Sequence, residues 1–168
     1  ITDVVLLDSK GVINRERADV AADPQSKKSQ MAERSNPRSV TGGPGEALLG
    51  ADVFIGVSSS KLDEAHLKLM NAASIVFALS NPDPEVLPEV AVKYAAVVAT
   101  GRSDFPNQSN TVLACPGIFR GARDAAHSVD PHARTAAADG AITELAQADH
   151  RAYYTPAPPF VRRAATAA

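Results

Sequence analysis

Four short apolar runs mark the first part of the chain: DVVLL (3–7), DVFIGV (52–57), SIVFAL (74–79) and AAVVA (95–99). Each run is continuous rather than alternating with polar residues, which is typical of strands that are buried on both faces of a parallel sheet. We therefore predict four parallel strands, one at each of these positions.

Segments between these runs have helical spacing. LDEAHLKLM (62–70) and LPEVAVKY (87–94) each place apolar residues on one face and acidic residues in the first turn. Residues 14–39 are expected to form a loop with a short helix around 24–34, and TGGPGEALLG (41–50) a loop that starts a helix. Strands that alternate with helices predict an α/β fold, a Rossmann-like doubly wound parallel sheet with helices on both faces.

The last third of the chain is different in composition. Two Ala-rich helices are expected over 114–150, divided near Asp130, which precedes a proline. The proline-rich end is expected to be an extended arm. The organisation predicted is one domain over 1–150, followed by the arm over 151–168.

Composition narrows the classes of function. A net charge of −2, a pI near 6.1 and an aromatic content of 5% without tryptophan argue against a nucleic-acid partner or a membrane surface. No apolar run approaches the roughly 20 residues that cross a bilayer. The single cysteine, Cys115, excludes an internal disulfide framework and favours a cytoplasmic location.

Polar or flexible residues follow every apolar run. In an open α/β sheet, ligands bind outside the carboxyl ends of the strands, so these residues are expected to form the rim of a cleft. The densest example is ATGRSDFPNQSN (99–110) after the fourth run. The groups that follow the four runs are Asp8-Ser9-Lys10-Gly11, Ser58-Ser59-Ser60, Ser80-Asn81-Pro82 and Thr100-Gly101-Arg102-Ser103.

Three side chains, two in these groups and one at the end of the stretch 99–110, are candidates for binding. Asp8 ends the first run, where an acidic residue can accept hydrogen bonds from the ribose hydroxyls of a dinucleotide; it can equally be a turn residue ahead of Gly11. Asn81 and Asn110 carry amides that donate to a carboxylate and accept from a hydroxyl, which suits a small hydroxy acid, although turn or cap roles are open for both.

Other side chains suggest no chemistry of their own. Asp83 and Glu85 in NPDPEVLPE are expected to cap the helix that follows. The four histidines lack metal-ligand spacing. We therefore predict no metal ligand in this chain.

Five stretches, in this order and at these spacings, resemble the coenzyme-binding domain of malic enzymes. They are VVLLDSKGVI, GADVFIGVS, IVFALSNPDPE, ATGRSDFPNQSN and PGIFRGARD, and a looser similarity follows in YYTPAPPF. The resemblance runs from residue 1 to about residue 125. The pair ATGRSDFPNQ and PGIFRG is far more specific than a lone glycine motif.

The resemblance implies oxidative decarboxylation of malate to pyruvate and carbon dioxide, with NAD or NADP and with a divalent metal, Mg or Mn, in the full-length enzyme. It implies that Asn81 and Asn110 contact malate or the nicotinamide end. Asp8 would face the ribose, Ser9 would contact the coenzyme, and the loop at Gly56, Val57 and Ser58 would run along the coenzyme. The full-length enzyme would be a homo-oligomer in the cytoplasm.

The chain departs from the family pattern in three ways. Thr111 follows Asn110 where the family has a second asparagine, and Cys115 replaces a phenylalanine. The family's catalytic Tyr and Lys, its acidic metal ligands and its glycine-rich turn would lie before Ile1. The sheet is therefore expected to be incomplete at its N-terminal end. The chain alone is expected to bind dinucleotides weakly and to contain no catalytic residue.

Two other functions stay open: a non-catalytic remnant that serves as an interaction module, and a related decarboxylating dehydrogenase for another hydroxy acid. The choice of coenzyme is open as well. Asp8 favours NAD because a carboxylate repels a 2′-phosphate. Ser9 with Lys27 or Lys28 could instead receive that phosphate and favour NADP.

Overall fold

The structure is a computed structural model that describes residues 3–109 and Gly140. Within these residues the strands are β1 (Leu7–Asp8), β2 (Gly11–Val12), β3 (Val53–Gly56), β4 (Ile75–Ala78) and β5 (Val97–Thr100). The helices are α1 (Ala18–Ala21), α2 (Lys27–Arg34), α3 (Pro44–Leu48), α4 (Glu64–Leu67) and α5 (Pro88–Ala91).

Three of the predicted strands form a parallel sheet in the order β3-β4-β5. Helices lie between them in the chain, so the α/β class and the strands predicted at 52–57, 74–79 and 95–99 are confirmed.

One face of the sheet forms the main core. Leu67 of α4 and Ala91 of α5 pack against Val76 and Val98 on this face. Side chains alternate between the faces of a strand, and Ile55, which points the other way, is 60% exposed. Helices α4 and α5 thus cover this face, and a helical layer on the second face stays a prediction.

The first apolar run does not form a parallel strand, so the prediction for 3–7 is wrong. Its end, Leu7–Asp8, pairs antiparallel with Gly11–Val12 instead. Gly11 has φ +104, a conformation that glycine adopts without a steric penalty, and this allows the chain to reverse. The carbonyls of Leu6 and Val4 accept hydrogen bonds from the N–H groups of Ile13 and Asn36. These two carbonyls are therefore not available to a neighbouring strand of the sheet.

The predicted helices exist but are short. Asp63 begins α4 by accepting a hydrogen bond from Ala65 N at 2.8 Å, and Glu46 accepts from Gly43 N at 2.8 Å at the start of α3. The helix expected around 24–34 is α2, whereas α1 lies in residues that were expected to be a loop.

The Ala-rich helices expected over 114–150 and the arm over 151–168 lie outside the described residues, apart from Gly140. None of the described helices has the length and apolarity that a membrane span requires.

Candidate functional site

The carboxyl ends of the three parallel strands lie side by side, because Gly56, Ala78 and Thr100 are aligned across the sheet. Ligands of open α/β sheets bind in the crevice outside this edge. The structure brings four of the candidate residues to it: Gly56, Val57, Ser58 and Asn81.

Asn81 is exposed just after β4 and precedes a cis peptide bond to Pro82. Its Nδ2 donates to Gly101 O at 3.2 Å, and Arg102 Nη1 donates to Pro82 O at 3.2 Å. These hydrogen bonds join the loop after β4 to the loop after β5. An amide has two N–H donors and a carbonyl acceptor, so the contact with Gly101 still leaves Asn81 capable of binding a ligand.

The end of β3 combines an exposed side chain with a fixed backbone. Val57 is 78% exposed, and Ser58 is exposed as well. The N–H of Ser58 donates to Glu85 Oε1 at 2.9 Å, and its carbonyl lies 2.6 Å from Ser80 Oγ. A ligand bound across this edge would therefore contact the side chain of Val57, and the backbone beside Val57 is fixed by Glu85 and Ser80.

The polar stretch that begins at Ala99 folds largely through its own side chains. Arg102 donates two hydrogen bonds to Asp104, and this pairing raises the pKa of Arg102 and lowers the pKa of Asp104. Asn107 is buried and binds the backbone of β5 through its side chain and its carbonyl. Many polar groups of the cleft rim thus shape the loop itself.

Asp8 ends β1, and Ser9 lies in the turn between β1 and β2. The carboxylate of Asp8 accepts from Arg17 Nη1 at 2.8 Å and Nη2 at 2.7 Å, from Lys28 Nζ at 2.6 Å and from Lys10 N at 2.9 Å. The contact with Lys10 is a hydrogen bond within the hairpin turn. Ser9 is exposed.

Hydrogen bonds from Arg17, and then from Lys28, hold the pKa of Asp8 well below its usual range, although partial burial opposes this. Hydrogen bonds to Asp8 and Asp19 raise the pKa of Arg17. Arg17 also donates to the carbonyls of the β2 residues. It therefore joins the carboxylate to the returning strand of the hairpin.

Asp83 and Glu85 do not cap α5, so that prediction is wrong. The N-cap residue of α5 is Leu87, which makes no side-chain capping hydrogen bond. Glu85 is instead turned toward the strand ends, where it accepts from Ser58 N, Ser80 N and Ser80 Oγ. The physical reason is that the buried carboxylate of Glu85 needs hydrogen-bond donors, and the groups of Ser58 and Ser80 lie within reach of it.

Arg17 and Glu85 are the residues that sequence reasoning missed. Glu85 had a weak signal, since it stands in a run of apolar and proline residues, whereas Arg17 lies in a uniformly polar segment. The candidate Asn110 lies outside the described residues, as do Thr111 and Cys115. Within residues 3–109, no three His, Cys, Asp or Glu side chains come together as a metal site.

The chain is similar to malic enzymes in sequence and in structure. It is 39% identical over 170 residues to the bifunctional malic/malolactic enzyme of Bacillus subtilis, a match that covers 99% of this chain and 41% of that protein. It is 43% identical over 150 residues to the NADP-dependent malic enzyme of Rhizobium meliloti, covering 88% of this chain and 19% of that one.

The crystal structure of the NAD-dependent malic enzyme from Thermotoga maritima matches with a TM-score of 0.87 at 34% identity, over 98% of this chain and 43% of that chain. No protein-family model matches the sequence. The chain spans about two-fifths of the length of the Bacillus and Thermotoga proteins and about a fifth of the Rhizobium protein. With this similarity along nearly its whole length, the chain belongs to the malic enzyme family and corresponds to part of the length of those relatives.

Proposed function

We propose that this chain is the NAD(P)-binding part of an enzyme that oxidatively decarboxylates malate to pyruvate and carbon dioxide. The observation that supports this best is the exposed amide of Asn81, held by the β5 loop at the carboxyl edge of a parallel sheet. The relatives named as malic enzymes, with NAD or NADP, support the choice of reaction.

In this proposal Asn81 and Asn110 bind malate or the nicotinamide end of the coenzyme. An amide can orient a dicarboxylate without adding charge to the site. The coenzyme, when bound, would supply the hydride acceptor, and these amides would hold the hydroxyl-bearing carbon of malate against the nicotinamide. Gly56, Val57 and Ser58 would form the surface along which the coenzyme lies.

Asp8 and Ser9 would bind the adenosine ribose. The carboxylate of Asp8 already accepts hydrogen bonds from three residues. Of the two cationic side chains among them, Arg17 and Lys28, the side chain of Lys28 is the more exposed, at 48%. We therefore propose that Lys28 shifts when the ribose binds, either to make room for a hydroxyl or to receive the 2′-phosphate of NADP.

We also propose that the whole enzyme uses Mg or Mn, forms homo-oligomers and works in the cytoplasm. The support is the family resemblance and, for the location, the single cysteine. The described residues supply no set of metal ligands, and no step is assigned to a metal.

A chimaera tests the proposal. Residues 1–168 would replace the segment that they match in the Bacillus subtilis relative, and malate-dependent reduction of NAD and NADP would be measured. Asn81→Ala should lower kcat/KM for malate roughly ten- to hundredfold, because it removes a hydrogen bond to a charged or hydroxyl group. The matched control is Asn71→Ala, since Asn71 bonds to Asp52 at the opposite end of β3.

Three outcomes would contradict the proposal. Equal effects of Asn81→Ala and Asn71→Ala would remove Asn81 from the site. A folded chimaera without turnover would favour the non-catalytic alternative. Turnover of another hydroxy acid in preference to malate would favour the related dehydrogenase, and Thr111→Asn should then fail to raise the efficiency with malate.

A further inference from the structure

Glu85 is a buried carboxylate to which the proposed function gives no role. It is 3% exposed and is the only charged residue in the buried polar set within residues 3–109. Burial of a carboxylate is unfavourable unless hydrogen bonds compensate for the lost water. The hydrogen bonds that its oxygen atoms accept must therefore explain why Glu85 is buried.

The side chain of Glu85 joins two loops of the crevice. Its Oε1 accepts from Ser58 N at 2.9 Å and lies 2.6 Å from Ser80 Oγ, and its Oε2 accepts from Ser80 N at 3.3 Å. Ser58 follows β3, and Ser80 follows β4. The backbone carbonyl of Glu85 also accepts from Leu62 N at 2.7 Å, which ties the same segment to the residues before α4.

Gly56 is matched to this carboxylate. A Cβ atom at position 56 would lie 2.4 Å from Glu85 Cδ and 2.7 Å from Oε2, distances that real side chains do not adopt. The last residue of β3 therefore has to be glycine while Glu85 occupies this place. The glycine allows the carboxylate to lie directly under the strand ends.

We infer that Glu85 is a positioning residue that sets the distance between the Val57-Ser58 backbone and the amide of Asn81. It holds Ser58 on one side and Ser80, the neighbour of Asn81, on the other. It acts on the crevice through these groups. The inference rests on the proposed function for what the crevice binds, whereas the joining of the two loops does not.

The first test uses the chain itself. Amide hydrogen exchange by NMR would be compared between Glu85→Gln and the control Glu89→Gln, which alters an exposed carboxylate in α5. Glu85→Gln should speed exchange at Ser58 and Ser80 roughly tenfold or more and leave Val76 in the core of the sheet unchanged. Unchanged exchange at both serines, or an equal increase at every amide, would overturn the inference.

The second test uses the chimaera described above, well below its melting temperature. Glu85→Gln should raise the KM for the coenzyme roughly three- to tenfold, with a smaller change in kcat, and Glu89→Gln should match the parent. Gly56→Ala should act in the same direction. Because truncation of Glu85 makes room for the new methyl group, adding Gly56→Ala to Glu85→Ala should have little further effect.

The two proposals can fail separately. If exchange at Ser58 and Ser80 responds as expected but the folded chimaera lacks turnover, the joining of the loops is supported and the proposed function is wrong. If the chimaera is active and Glu85→Gln is kinetically the same as Glu89→Gln, Glu85 does not position the crevice.

Discussion

Two carboxylates, each close to the end of a strand, are stabilised in opposite ways. Asp8 ends β1 with 20% of its side chain exposed and is paired with Arg17 and Lys28. Glu85 is buried at the ends of β3 and β4 and accepts only from backbone N–H groups and a hydroxyl. Salt screens exposed charges much more than buried hydrogen bonds. Added salt should therefore weaken the stabilisation around Asp8 more than the stabilisation around Glu85.

The difference indicates which site can adapt to a ligand. Around Asp8, three cations (Lys10, Arg17 and Lys28) meet two carboxylates (Asp8 and Asp19), which leaves one net positive charge. Two of these cations are on exposed, flexible lysines that can change partner. The partners of Glu85 are mostly backbone groups, which cannot move without moving the strand ends.

The largest effect is expected from Arg17→Met. Arg17 donates to Asp8, Asp19 and two carbonyls, so its loss should lower the free energy of unfolding by about 2–3 kcal/mol. Arg17→Lys should recover part of this, because lysine keeps the charge but not the bidentate geometry. Urea unfolding at low and high salt would measure both variants. The loss in the free energy of unfolding should change more with salt for Arg17→Met than for Glu85→Gln. The opposite order would contradict the comparison of the two carboxylates.

The second effect is on stability in acid. Because the pKa of Asp8 is lowered in the folded state, its ion pair stabilises the fold above the ordinary aspartate pKa of about 4. This stabilisation is lost as the pH falls from there through the lower, folded-state pKa. Arg17→Met should therefore flatten the decline in melting temperature below roughly pH 4.

A matched control for the acid experiment is Arg102→Met. Arg102 pairs with Asp104, whose pKa is also lowered but whose side chain is 55% exposed. The pair is therefore screened by solvent, and its removal should change the acid profile less than Arg17→Met does. An equal change would mean that burial around Asp8 contributes little.

The smallest effect is expected from Lys28→Ala. Its ion pair with Asp8 is half-exposed, so stability should change by less than about 1 kcal/mol. In the chimaera, the KM for NADP should rise roughly three- to tenfold, and more than the KM for NAD, if Lys28 receives the 2′-phosphate. Lys27→Ala tests the other lysine that could receive the phosphate, and Lys93→Ala, which removes an exposed lysine after α5, is the control. Equal effects on the two coenzymes would exclude Lys28 from this role.

Local pattern alone predicted much of the fold. The runs at 52–57, 74–79 and 95–99 are parallel strands, as the continuous apolar pattern predicted. The starts of α3 and α4 are stabilised by Glu46 and Asp63, whose carboxylates bind nearby N–H groups. Such contacts span a few residues, so the sequence determines them directly.

Hydrogen bonds between residues that are far apart in the chain were decided by the tertiary structure. The run at 3–7 has the same apolar pattern as the other three. Its end nevertheless pairs with the strand that follows the reversal at Gly11, and its Val4 carbonyl accepts a hydrogen bond from the N–H of Asn36, so it does not join the parallel sheet.

The same holds for the functional side chains. The sequence by itself determined that polar groups such as Asn81 follow the strands, because this depends on order along the chain. Only the tertiary structure decided that Glu85 turns toward Ser58 rather than toward its own helix, and that Arg17 binds Asp8. The physical reason is that a buried carboxylate takes whichever donors the packing of strands and loops leaves without an acceptor.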